Sequence, residues 1–260
     1  MLKNKSAYWA FKKKGVSGLL VHLIVRVFGD AHFLRPASSI DFKAKKMDQF
    51  QSLDELLYSL LPDTPKDEVL AKMAEARNFL NSRDVLGAQN MEFPDRWNSG
   101  HHLQLLLYTF VRIVRPEIVV ETGTANGASA NAIAGALEAN GLGKLFTFDI
   151  EISGAPLVSK GLRKRIEFVR TDGSDTYLRE YMFQRMPVHG KSLFLHDADH
   201  SYVGQMKDYL TASGLQFNFI FSDDVDTSLA FCDFAGSAGK VFFDAPKFIG
   251  CYFNVDGASK

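Results

Sequence analysis

The stretch Ile118–Gly127 constrains the fold more than any other part of the chain. It reads IVVETGTANG: an apolar β-branched run, an acid, a turn of small residues, then a helical pattern. A strand feeding a glycine turn and a helix is the opening unit of a nucleotide-binding parallel α/β sheet. Gly123 lets the main chain approach a ligand, and Gly127 lets the next helix pack closely. The pattern is not G-x-G-x-x-G, because the glycines stand four apart and Glu121 precedes them. A carboxylate there repels a pyrophosphate and suits a ligand carrying ammonium or sulfonium charge.

From Pro116 onward the chain alternates strand and helix patterns. Strands are expected at Ile118–Thr122, Lys144–Asp149, Ile166–Arg170, Ser192–Asp197 and Phe217–Asp223. Helices fit between them at Gly127–Ala139, Leu157–Arg165, Asp175–Gln184 and Tyr202–Ser213, with a last one from about Val225 to Phe234. Val241–Phe243 and Phe248–Phe253, split by Pro246, read as a hairpin at the sheet edge. Such alternation implies a parallel sheet covered on both faces, with ligands outside the carboxyl ends of the strands. Nearly every one of those ends carries an acid: Glu121, Asp149, Asp172, Asp197 and Asp223.

The part before this core has another character. Up to Lys46, ten bases (Lys3, Lys5, Lys12, Lys13, Lys14, Arg26, Arg35, Lys43, Lys45, Lys46) face only Asp30 and Asp41, while the whole chain is neutral. A basic arm on an acidic body follows, with residues 1–98 as arm and helical cap and 99–260 as the main domain. Ala7–Phe28 reads as a helix packed on that domain; contact with an anionic membrane surface or partner is the other reading. Val16–Phe28 is too short to span a bilayer and holds His22 and Arg26. Leu53–Leu61 and Lys66–Asn81 read as polar-faced helices, a lid or a dimer surface, followed by a core helix at His101–Val114. Cys232 and Cys251 form no metal spacing or disulfide framework, so a reducing, cytoplasmic setting and buried thiols are expected.

The strand ends ETGTANGAS, FTFD and TDGS resemble those of class I S-adenosylmethionine-dependent methyltransferases. The likeness covers about His101–Phe253. It implies a Rossmann-like three-layer α/β sandwich with a mostly parallel seven-stranded sheet, a C-terminal antiparallel hairpin and added N-terminal helices. By this resemblance Glu121, Gly123 and Gly127 line the methionine side of the cofactor, and Thr124, Asn126 and Ser129 also count as cofactor-binding. Asp149 holds the ribose, and Asp172 with Ser174 lies near adenine. Ser174 as a simple helix cap is the competing reading.

The fourth and fifth strands end LHDADHSY and FSDD. Alternation turns His196 away from Asp197. Neighbouring strands bring Asp197, Asp223 and Asp224 together, and three close carboxylates call for a positive partner. An all-oxygen set favours Mg²⁺, Mn²⁺ or Ca²⁺ over zinc. These two turns resemble those of metal-dependent O-methyltransferases acting on sugar or phenolic hydroxyls and of their cephalosporin-hydroxylase-like relatives. The resemblance makes Asp197, Asp223 and Asp224 metal ligands, with Mg²⁺ foremost, and makes His200 or Asp197 the base. The acceptor is then a small molecule or carbohydrate, and the chain a possible homo-oligomer. A hydroxylase-like metal enzyme on the same fold and a non-catalytic binding domain are the alternatives. A nucleic-acid substrate is disfavoured, because the bases are concentrated in the arm and no Asn-Pro-Pro-Tyr-like segment occurs.

Overall fold

The computed structural model describes residues 40–82, 91–151, 154–187 and 190–254. The expected helix Ala7–Phe28, most of the basic arm and the loop 35–39 lie outside the described residues. In chain order the elements are β1 (Asp48–Phe50), α1 (Leu53–Leu60), α2 (Lys66–Asn81), α3 (His101–Val114), β2 (Ile118–Thr122), α4 (Ala128–Asn140), β3 (Lys144–Asp149), β4 (Ile166–Arg170), α5 (Asp175–Phe183), β5 (Ser192–His196), α6 (Tyr202–Gly214), β6 (Phe219–Ser222), α7 (Ala230–Ala235), β7 (Lys240–Asp244) and β8 (Lys247–Phe253). Short 3₁₀ turns lie at Asp95–Trp97, Lys160–Arg165 and Gly236–Ala238.

The strands form one sheet in the order β1-β7-β8-β6-β5-β2-β3-β4. β8 runs antiparallel to both its neighbours, and the other pairings are parallel. This is the expected Rossmann-like architecture, with two corrections. The sheet has eight strands rather than seven, because the short strand β1 pairs in parallel with β7. The C-terminal hairpin is not simply an edge ornament: β8 is inserted between β6 and β7. Three residues of strand carry too weak a period to be seen in sequence.

Side-chain alternation divides the core into two layers. Val119, Leu193 and Leu195 pack beneath α1–α4, whereas Val120, Phe194 and Ile220 pack beneath α5–α7. On the first face α3 presents Leu103, Leu106, Phe110 and Val111, all fully buried, at helical spacing. It stops at Arg115, which takes a left-handed conformation with φ 55° before Pro116. Leu56, Leu57, Val69, Met73 and Ala76 of α1 and α2 belong to the same apolar cluster. Glu75 of α2 also accepts hydrogen bonds from Arg112 Nε (2.7 Å) and Tyr108 OH (3.0 Å) on α3.

Two helices are shorter than expected. Leu157–Arg165 keeps only its second half, as a 3₁₀ segment, and the last helix starts at Ala230 rather than near Val225. In the latter region Val225 N donates to Phe248 O (3.0 Å) and Asp226 Oδ1 accepts from Phe248 N (2.9 Å), so the chain there is held to β8 instead of coiling. Both cysteines are buried free thiols, as expected. Among the described residues no helix is long and apolar enough to cross a membrane.

Candidate active site

The glycine turn after β2 folds through three left-handed residues, Gly123 (φ 90°), Ala125 (φ 42°) and Gly127 (φ 85°). Gly123 N donates to Phe148 O (2.8 Å) and Gly127 N to Thr124 O (2.8 Å), which fixes the loop against β3. Asp149, at the end of β3, organises it further. Its Oδ2 accepts Thr124 N (2.9 Å) and Ala125 N (3.1 Å), and its Oδ1 accepts Glu151 N (3.1 Å). Oδ2 uses both its lone pairs in this way, while Oδ1 keeps one free, so a partly exposed Asp149 retains acceptor capacity.

Glu121 is fully buried under this turn. Thr147 Oγ1 donates to its Oε2 (2.6 Å), which obliges Thr124 Oγ1 to donate to Thr147 Oγ1 (2.7 Å). Oε1 has no hydrogen-bond partner among the described residues. Burial pushes the Glu121 carboxyl up to about 7, although the Ser129 and Thr147 hydroxyls hold it down and Asp149 adds to the rise. Ser129 is buried beside Glu121. Asn126 also looks inward: its Oδ1 accepts Glu92 N and Phe93 N (both 3.0 Å), and its Nδ2 donates to Phe93 O (3.1 Å) and Asn98 Oδ1 (2.9 Å). It fastens segment 92–98 to the turn. At the third strand end, Asp172 Oδ1 accepts Ser174 N (2.8 Å), and Ser174 caps α5 by accepting Tyr177 N (3.2 Å).

The second constellation gathers Asp197, His200, Asp223 and Asp224. His200 Nε2 lies 3.4 Å from Asp224 Oδ2 and 4.0 Å from Asp197 Oδ1. Asp224 takes a left-handed backbone, φ 49°, unusual for a residue with a β-carbon. The His200 turn is locally built: Asp199 Oδ1 accepts Ser201 N (3.0 Å), Ser201 Oγ accepts Gly204 N (3.1 Å), and Thr227 Oγ1 donates to His200 O (2.9 Å). Burial lowers His200 to about 4, so its ring is neutral near pH 7. Asp197 is held well above the usual carboxylate range by burial and then by Asp223, and burial with Asp224 lifts Asp223 to about 6.

His196 points to the opposite face, as alternation requires. Its Nδ1 donates to Asp208 Oδ2 (2.8 Å) on α6, an oxygen that also accepts Thr122 Oγ1 (2.8 Å). The His196 ring meets His200 edge-on at 5.6 Å. Asp208 and Thr147 gave no sign in the sequence, being single polar residues within a helix and a strand. The larger omission is Lys247. Its Nζ reaches Asp223 Oδ2 and lies 3.3 Å from Asp224 Oδ1. Burial alone would lower the ammonium's pKa, but Asp223, Asp224 and Asp197 raise it.

Residues 120–215 match a family model described as a methyltransferase domain, within a sheet of the Rossmann-like order above. Over that stretch the chain is similar to a methyltransferase domain. Solved structures similar to it include the Bacillus cereus O-methyltransferase in complex with SAH, at 16% identity over 78% of this chain and 98% of that one, with a TM-score of 0.47. Another is the O-methyltransferase TomG from Streptomyces achromogenes, at 18% identity over 77% and 95%, with a TM-score of 0.46. A third is the SAH-bound Podospora anserina methyltransferase PaMTH1, at 15% identity over 77% and 94%, with a TM-score of 0.44. No curated protein matches the chain.

The site offers unequal fits to the two groups expected from sequence. For the cofactor there are Asp149 with a free lone pair on Oδ1, the positive-φ turn, and the orphaned Glu121 Oε1, an acceptor suited to a cationic or N–H group. For a divalent cation the donor set is wrong as arranged. Lys247 already occupies the positive position beside Asp223 and Asp224. Among the described residues no group of three or more His, Cys, Asp and Glu side chains is disposed to hold a metal ion.

Proposed function

We propose that the chain is an S-adenosylmethionine-dependent O-methyltransferase whose acceptor is a hydroxyl of a small molecule or sugar. The observation that carries this reading is the position of His200. A ring kept neutral by burial stands 3.4 Å from Asp224, at the sheet end that also bears the glycine turn. When bound, the cofactor supplies an electrophilic methyl on a positive sulfur. Asp149 and the 123–127 turn hold it, with Glu121 beneath. An acceptor hydroxyl delivered beside Asp224 gives its proton to His200 Nε2, and the Asp224 carboxylate on that side stabilises the imidazolium. Asp197 in its ionised form, made more basic by burial, is the alternative acceptor of that proton. Orientation of the hydroxyl in a water-poor pocket does the remaining work.

Metal assistance, expected from three converging carboxylates, has no part in this proposal because Lys247 holds the cation position. Two buried free cysteines support a reducing, cytoplasmic setting, and the basic arm is a candidate contact for an anionic surface or partner. Calorimetry with S-adenosylhomocysteine, followed by transfer of labelled methyl to a panel of hydroxylated sugars, glycolipids and phenols, tests the reading. Binding and label on oxygen are expected. Absence of binding by the folded chain rejects the donor, and label only on nitrogen rejects the acceptor class.

A further inference from the structure

We propose that the Lys247 ammonium is the resident cation of the Asp197–Asp223–Asp224 cluster, and that it keeps a divalent metal out. This concerns the site of the proposed methyl transfer, but its test does not depend on that activity.

The placement of Lys247 is built into the sheet. β8 runs antiparallel to β6, with Ser222 opposite Gly250. Continued beyond Ser222, that register sets the first residues of β8 against the acidic pair that follows β6. Two hydrogen bonds hold the approach: Val225 N to Phe248 O (3.0 Å) and Phe248 N to Asp226 Oδ1 (2.9 Å). The other arm of the hairpin is tethered where His102 Nδ1 meets Asp244 Oδ1 (2.7 Å), and Asp244 pairs with Lys247 across the turn. Lys247 is therefore delivered by the strand pairing of β8 on one side and by the turn with Asp244 on the other.

The chemistry points the same way. The Asp223 side chain is 2% exposed and that of Lys247 25%, so the pair is sheltered from the screening that weakens surface ion pairs. One ammonium serves two carboxylates, through Asp223 Oδ2 and Asp224 Oδ1. A divalent ion between these oxygens would have to expel the ammonium or sit against it, and like charges that close in a sheltered site repel strongly. His200 is neutral on the remaining side and adds no competing positive charge. An ammonium with three N–H donors also offers what an ion would offer an acceptor hydroxyl, a fixed positive charge beside the oxygen.

The test is titration of Mn²⁺ into the full chain, with free ion followed by its paramagnetic resonance signal and folding checked by circular dichroism. The native chain and Lys247→Arg are expected to leave stoichiometric Mn²⁺ free. Lys247→Met is expected to bind one Mn²⁺ at least tenfold more tightly than the native chain, and adding Asp223→Asn should abolish that gain. Binding of one Mn²⁺ by the native chain that Asp223→Asn removes overturns the proposal. So does a folded Lys247→Met that binds no better than the native chain. Should Lys247→Met not fold, the native chain and Lys247→Arg decide: Mn²⁺ bound at Asp223 in either rejects the idea, and free Mn²⁺ in both supports it. Binding of S-adenosylhomocysteine, measured on the same samples, reports separately on the methyltransferase reading.

Discussion

Gly123 packs against the carbonyl of Asp197 so closely that a β-carbon on Gly123 would lie 1.9 Å from that oxygen. The glycine expected to clear space for a ligand also clears space for the chain that follows the neighbouring strand. The Asp197 amide in turn donates to Thr122 O (2.9 Å), so the donor turn and the reacting turn share one main-chain seam. Gly123→Ala must shift that seam and also strain a backbone at φ 90°, at about 1–3 kcal/mol for the strain alone. Both calorimetric binding of S-adenosylhomocysteine and methyl transfer should fall at least tenfold. An alanine variant that binds normally would mean the seam is not rigid.

His200→Asn should leave cofactor binding unchanged and cut the rate of methyl transfer by roughly 10²–10⁴-fold, the usual contribution of a positioned base. Because burial holds the ring to about 4 in the folded chain, the native pH profile should lack an acid limb near the ordinary histidine value. Steady-state rates between pH 5 and 8 check this. A clear His200-dependent limb near ~6.5 would show an exposed, ordinary imidazole.

Glu121 gives stability a particular pH signature. Its carboxyl rises from 4.5 to about 7 on folding, so between those values the native chain binds more protons than the unfolded one. Stability contributed by the protonated group is complete below the lower value and is lost as pH rises through the upper. The loss is on the order of 3 kcal/mol at 1.36 per unit. Glu121→Gln, which keeps an acceptor for Thr147, should remove it. Urea unfolding of both proteins at several pH values isolates the effect in the difference between curves. A constant difference from pH 4.5 to 8 would contradict the assignment.

A chain beginning at Gly87 should fail to fold cooperatively. It lacks Leu56, Leu57, Val69, Met73 and Ala76, each at most 2% exposed, at roughly 1.5–3 kcal/mol for each large side chain. Total stabilities are about 5–15 kcal/mol. It also strips Arg112 and Tyr108 of Glu75. A thermal melt by circular dichroism checks it, and a native-like transition would mark α1 and α2 as dispensable.

Much of this arrangement is legible in the sequence because periodicity and strand ends carry it. Strands β2, β3 and β4 have the expected bounds, since β-branched and aromatic runs are stopped by acids or glycines. The convergence of Asp197 with Asp223, and the aversion of His196, follow from a period of two; Asp224 joins them through its left-handed backbone. What escapes is what depends on which strands are neighbours. Placing the hairpin at the sheet edge hides Lys247, because only insertion of β8 beside β6 brings that lysine to the acidic pair. Likewise, Asn126 sits in a turn that looks like a ligand site, yet its amide serves segment 92–98, a pairing across more than 25 residues. Local patterns report the elements, and long-range register decides what fills the spaces between them.

The insertion of β8 also imposes a schedule on the newborn chain. During synthesis the acids of residues 197–224 leave the ribosome well before their ammonium, and β6 and β7 emerge before the strand that must lie between them. The sheet stays split, and its acidic turn uncompensated, until nearly the last described residues are available. A chain arrested before Lys247 is thus more than short of one strand: it holds mutually repelling carboxylates and two unjoined strand edges, which makes it a substrate for quality control rather than a partly working enzyme.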